Sequence, residues 1–88
     1  MKIQVTEMVK TEVEIATPCY VKSANGFHVY HVINETQTIQ VYNGYSGVSI
    51  GLVSSSLAFS DNYSMIKAKE YKEVFSKVLK ALALWVTL

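Results

Sequence analysis

The residue types in this 88-residue chain that could carry acid–base, nucleophilic or stacking chemistry are two histidines, one cysteine and six tyrosines. His28 and His31 lie three apart in a stretch, Phe27 to Ile33, that reads as a strand. Successive side chains on a strand alternate faces, so the two imidazoles point to opposite sides and cannot share a metal ion. A ligand pair needs i, i+2 on a strand or i, i+4 on a helix, and no Cys/His/Asp cluster elsewhere supplies missing ligands. Neither a metal nor a cofactor is therefore expected. Cys19 could act as a nucleophile with His31 as its base, but the pairing derived below sets thiol and imidazole on opposite sides of a sheet. Cys19 is read as a buried structural thiol. No nucleophile elbow, P-loop, dinucleotide fingerprint or zinc spacing occurs, and Gly44-Tyr45-Ser46-Gly47 shares only glycine and serine with a phosphate cradle. The expectation is a protein that is not an enzyme, with no catalytic residue.

Stacking chemistry is better represented. Tyr20 and Tyr42, with Phe27, His31, Lys22 and Gln40, are predicted to share one mixed polar and aromatic sheet face. Such a face could stack the base of a nucleotide-like small molecule, as open sheets that bind single-stranded nucleic acid do. It could equally bury itself against another protein, because tyrosine and phenylalanine are enriched in both settings. The formal net charge of +1 favours the protein interface and argues against the broad phosphate-binding surface that double-stranded nucleic acid requires.

The elements that must position these residues follow from periodicity. From Ile3 to Ile15, Ile3, Val5, Val9, Val13 and Ile15 occupy odd positions, which predicts strand over about 2–16 with a bulge at Glu7 to Thr11, where alternation lapses. Thr17-Pro18 ends it. Strands over 19–23 and 27–33 flank Asn25-Gly26, a strong signal for a type I′ hairpin, and pair Val21 with Tyr30 and Cys19 with Val32. A tight turn at Glu35-Thr36 to a strand over 37–43 pairs Val32 with Ile39 and Tyr30 with Val41. A four-residue loop at 44–47 leads to a strand over 48–53 and pairs Val41 with Ile50 and Ile39 with Leu52. In these registers one face collects Cys19, Val21, Tyr30, Val32, Ile39, Val41, Val48, Ile50 and Leu52; the other collects the mixed set, Val29, Thr38, Ser49 and Gly51 included. Leu57-Ala58-Phe59 reads as a short edge strand or a packed connection, and Ser60-Asp61-Asn62 as a turn.

Tyr71, Val74, Phe75, Val78, Leu79, Leu82, Trp85 and Val86 then recur with helical spacing, predicting a helix over about 68–86 with Glu70 in its first turn and an outer Glu73–Lys77 pair. The predicted fold is thus α+β, a single domain over 1–88: an antiparallel sheet of about five strands, a β-meander, with one C-terminal α-helix packed on the face that holds Cys19 and Val41. Beyond Lys80 the helix is apolar all round, which marks Leu84, Trp85 and Leu88 as residues that meet a neighbouring subunit.

Half of the residues are hydrophobic and only 17% are charged. A domain of this size buries roughly 60–65% of the surface its unfolded chain exposes, so apolar surface is left over and a homo-oligomer is expected. The alternating first residues, MKIQVTEMVK, lack the apolar region of a secretory signal, and the run from Ala81 to Val86 is far below the roughly 20 residues of a membrane span. The lone Cys19 suits a reducing compartment, and a cytoplasmic location is expected.

Ile15-Ala16-Thr17-Pro18-Cys19-Tyr20-Val21-Lys22, the Ile39-Gln40-Val41-Tyr42 strand, Leu57-Ala58-Phe59-Ser60 and the helix that starts through Lys69-Glu70-Tyr71 resemble a group of short uncharacterised proteins of Bacteroides-type gut bacteria and their phages. Lys67 stands where a capping box would carry a hydroxyl. The resemblance implies a small accessory protein, phage-encoded and working in the host cell cytoplasm, that binds a host protein or a nucleotide signal of host defence.

Overall fold

The computed structural model describes residues 2–6, 10–59 and 62–87, and side chains over 14–59 and 62–84. In chain order the elements are β1 (Lys2–Thr6), β2 (Lys10–Glu14), β3 (Cys19–Ser23), β4 (His28–Val32), β5 (Thr38–Gly44), β6 (Gly47–Val53), α1 (Ser55–Ala58), β7 (Tyr63–Ile66) and α2 (Ala68–Thr87). Five strands form one antiparallel sheet in the order β6-β5-β4-β3-β7, and α2 packs across one face. This is the α+β architecture that the sequence predicts.

The membership of the sheet differs from expectation. The stretch over 2–16 is not one strand: β1 and β2 pair with each other as a separate two-stranded sheet, from Lys2↔Glu14 to Thr6↔Lys10. The expected bulge falls partly on residues 7–9, outside the described residues, and partly on Lys10 and Thr11, which pair with Thr6 and Val5. The fifth strand is β7, which lies antiparallel to β3 with Tyr20↔Ile66 and Ser23↔Tyr63. Four residues are too few to display a period, so the sequence alone shows no strand there. Leu57-Ala58-Phe59 is a packed connection, the helical turn α1 followed by Phe59.

Two of the three predicted registers are observed. β3 and β4 pair as Cys19↔Val32 and Val21↔Tyr30, and β5 and β6 as Val41↔Ile50 and Ile39↔Leu52. The first hairpin is not closed by a type I′ turn: Gly26 N–H donates to the Ser23 carbonyl at 3.0 Å, and only Gly26, at φ 78°, is left-handed. Asn25 Oδ1 accepts the Phe27 N–H at 2.9 Å, so a longer turn keeps the same parity. Between β4 and β5, however, Val32 faces Thr38 and Val29 faces Val41, one residue away from the predicted pairing. Asn34 causes the shift. Its Oδ1 accepts the N–H groups of Thr36 and Gln37, each at 2.9 Å, and Ile33 N–H donates to the Gln37 carbonyl at 3.0 Å. Three residues, 34–36, therefore lie between the closing pair in place of two, an Asx-type turn.

A shift of one residue exchanges faces. Val29 and Val41 line the α2 side with Tyr71 and Val78, and Tyr20, Ile39, Val48, Ile50, Ile66, Val74, Phe75 and Leu82 pack around them. Cys19, Val21, Tyr30 and Val32, predicted beneath the helix, form the opposite core with Ile15 and Ala58, flanked by Val53, Phe59 and Tyr63. Both faces of the sheet are thus covered, one by α2 and the other by α1 and the chain around Ile15. Along α2, Tyr71 and Val78 are buried, Val74, Phe75 and Leu82 are half-buried, and Leu79, on the margin of the stripe, is 52% exposed.

Candidate functional site

The residues expected to share one mixed face are divided by the β4–β5 shift. Tyr20 and His31 face each other across β3 and β4 on the α2 side, their rings stacked at 4.7 Å and 19°. Tyr71 of α2 closes over both, at 5.2 Å from Tyr20 and 5.6 Å from His31, and Phe75 continues the cluster at 5.9 Å from Tyr71. Burial raises the Tyr71 phenol above the ordinary tyrosine range, and neighbouring Tyr20 pushes it the same way. Lys22 Nζ donates to Glu70 Oε2 at 3.2 Å, a contact between side chains 41% and 45% exposed that contributes roughly 0–1 kcal/mol. These side chains lie between sheet and helix, tying the start of α2 to β3.

Gln40 and Tyr42 lie on the other side of the sheet, in line with Tyr30 and His28. His28 stacks on Tyr30 at 6.1 Å and 9° and tilts against Tyr42 at 4.9 Å. The Tyr42 hydroxyl is held by Ser46 Oγ at 2.8 Å, and its ring lies over Gly44 where any Cβ would collide with it. Phe27, beyond the end of β4, meets Tyr45 edge-on at 5.2 Å. A small cavity of about 170 Å³ opens beside this row, lined by Ser23, Asn25, His28, Tyr30, Leu57, Ala58 and Asn62. Its polar turn residues already serve the hairpin: Ser23 Oγ donates to Asn25 Oδ1 at 2.7 Å and accepts His28 N–H at 3.2 Å. His28 is the aromatic neighbour of Tyr42 that the predicted mixed face omits, because the predicted register sets His28, like Tyr30, on the opposite side of the sheet from Tyr42; the residue count of the turn held by Asn34 is the signal that could have brought them together.

Cys19 is buried on the face away from His31, and burial raises its thiol above the ordinary cysteine range, which keeps it protonated and inert as a nucleophile. Among the described residues no group of three or more His, Cys, Asp or Glu could hold a metal ion, and no helix is long and apolar enough to cross a membrane.

The remaining candidate is a sheet edge. β6 (GVSIGLV) ends the strand order, carries no charged residue and no proline, and spans seven residues against four for β7 at the far edge. The bonds Ile33 N–H to Gln37 carbonyl and Asn43 N–H to Phe27 carbonyl fix which residues of β5 bond to β4, the odd-numbered ones. By the alternation of an antiparallel ladder, the even-numbered residues of β5 bond to Gly47, Ser49, Gly51 and Val53, so the N–H and C=O of Val48, Ile50 and Leu52 point outward from the sheet. Leu52 is 76% exposed and, at the end of the helix, Leu84 is 66% exposed. The side chain of Trp85, and Leu88 altogether, lie outside what the structure describes. No protein-family model matches the chain, and no curated protein or solved structure does.

Proposed function

We propose that this chain is a small non-enzymatic binding protein that works as a homo-oligomer through protein–protein contacts. The observation that carries the reading is the long, uncharged, outward-facing edge of β6, with Leu52 76% exposed upon it. Natural sheets blunt such edges with lysine, proline, bulges or a covering element, and β6 has no lysine and no proline. Leu79 and Leu84 on α2 are further exposed apolar side chains. In the phage setting that the resemblance implies, the assembled protein acts by occupying the surface of a host protein.

A nucleotide-sequestering role would need Tyr20, Lys22, His31 and Tyr42 on one accessible surface. The first three face α2 while Tyr42 faces away from it, so no shared stacking platform supports that reading. Size-exclusion chromatography with light scattering at micromolar concentration tests the oligomer: a mass that is a multiple of 9.8 kDa is expected, and a strict monomer at every concentration overturns it.

A further inference from the structure

The unused backbone groups of β6 determine how two copies fit together. Val48, Ile50 and Leu52 each present one N–H and one C=O to the open edge, spaced two residues apart. An edge of this kind accepts another strand, and the strand most compatible with it by charge is its own copy. With no Lys, Arg, Asp or Glu between Gly47 and Val53, antiparallel self-pairing sets no like charge against itself. The other edge, β7, is shorter.

Resting on the homo-oligomer reading above, we propose that β6 pairs antiparallel with β6 of a second copy about a two-fold axis at Ile50. Val48 then faces the second copy's Leu52, Ile50 faces its own counterpart, and all outward N–H and C=O groups of the three residues are used. Two five-stranded sheets join into one of ten strands with both α2 helices on the same side. On that side Val48, Ile50 and Leu52 meet their counterparts, and Leu52, the most exposed of them, gains the cover that α2 of its own chain does not give. On the other side the facing residues are Ser49 and Gly51, both exposed, and a Cβ at Gly51 would meet nothing within 4 Å, so the space directly over this part of the strand is open. The interface is isologous and closes at two subunits, unlike an open edge-to-edge stack.

The test uses the full chain, read by light scattering and by amide hydrogen exchange followed residue by residue. A dimer is expected in which the Val48, Ile50 and Leu52 amides exchange slowly, becoming faster on dilution to monomer. Leu52→Lys changes a side chain that the monomer leaves in water and should weaken the dimer at least about tenfold, because pairing would desolvate the ammonium group, with the circular dichroism of the fold retained. Ile50→Pro removes an N–H that β5 does not use and should act in the same direction. A dimer that persists in Leu52→Lys with fast exchange at the three amides overturns the β6 pairing and leaves the homo-oligomer reading standing. A monomer at all concentrations overturns both. A monomer whose β6 amides slow only when a different protein is added overturns self-pairing in favour of a foreign strand.

Discussion

Thr38 Oγ1 donates to Ser55 Oγ at 2.8 Å, and that hydroxyl donates onward to the carbonyl of Asn34 at 2.7 Å, with Thr38 and Ser55 both fully buried. This relay joins the first residue of α1 to the start of β5 and to the turn that sets the β4–β5 register. Ser55→Ala removes both bonds and leaves the buried Thr38 hydroxyl and the half-buried Asn34 carbonyl without them. A loss of roughly 1–3 kcal/mol in urea unfolding is expected, with Thr38→Val adding little more once Ser55 is gone. Full additivity of the two changes would show that the relay is not one unit.

His31 and Tyr42, grouped together by sequence, should behave differently on truncation. His31→Ala empties a position between Tyr20 and Tyr71, losing stacking contacts on the order of 1 kcal/mol in addition to packing, whereas Tyr42 is held over an exposed turn by Ser46. Thermal unfolding should therefore give a lower Tm for His31→Ala than for Tyr42→Ala. The reverse order would mean that the aromatic cluster contributes little to the attachment of α2.

Val78 is fully buried between α2 and the sheet. Val78→Asp places an unpaired carboxylate there and costs several kcal/mol, comparable with the roughly 5–15 kcal/mol that small domains possess. Circular dichroism should show an unfolded chain at neutral pH. Leu82→Asp, at a half-buried position, should destabilise by a smaller amount.

Alkaline pH should weaken the fold. Burial raises the Tyr71 phenol, the Tyr30 phenol and the Cys19 thiol above their ordinary values, so the unfolded chain releases these protons at lower pH than the folded one. Their contribution is complete below about pH 8.5, where even the unfolded thiol keeps its proton, and is lost as pH rises through the unfolded thiol and phenol range of about 8.5–10 toward the raised folded values. Urea unfolding of Tyr71→Phe should show a shallower fall above about pH 10 than the parent. Equal slopes would show that Tyr71 does not contribute to it.

The fold class, the C-terminal helix and two hairpin registers are legible because each rests on a strong local signal: the Tyr71-to-Leu82 stripe, Asn25-Gly26, and the Gly44–Gly47 connection. The division of residues between faces was not legible, for a physical reason visible in β4. Val29, Tyr30 and Val32 are all buried, since α2 covers one side and α1 the other. A strand covered on both faces has no polar side to report its orientation, so hydrophobic pattern could not reveal a slip at the next turn. The clue lay in Asn34, whose side chain bonds two later N–H groups and lengthens the turn by one residue. The mixed face inherited that error, which is why Tyr20, Lys22 and His31 are separated from Gln40 and Tyr42.

The turn over 34–36 also reverses an ordinary expectation about where a chain tolerates insertion and deletion. Exposed loop tips normally absorb changes in length without consequence. Here a single residue removed or added would swing Ile39, Val41, Val48 and Ile50 away from α2 and bring Thr38, Gln40 and Tyr42 beneath it. Glu35 and Thr36 are exposed at the surface, yet their number is as constrained as any side chain in the core.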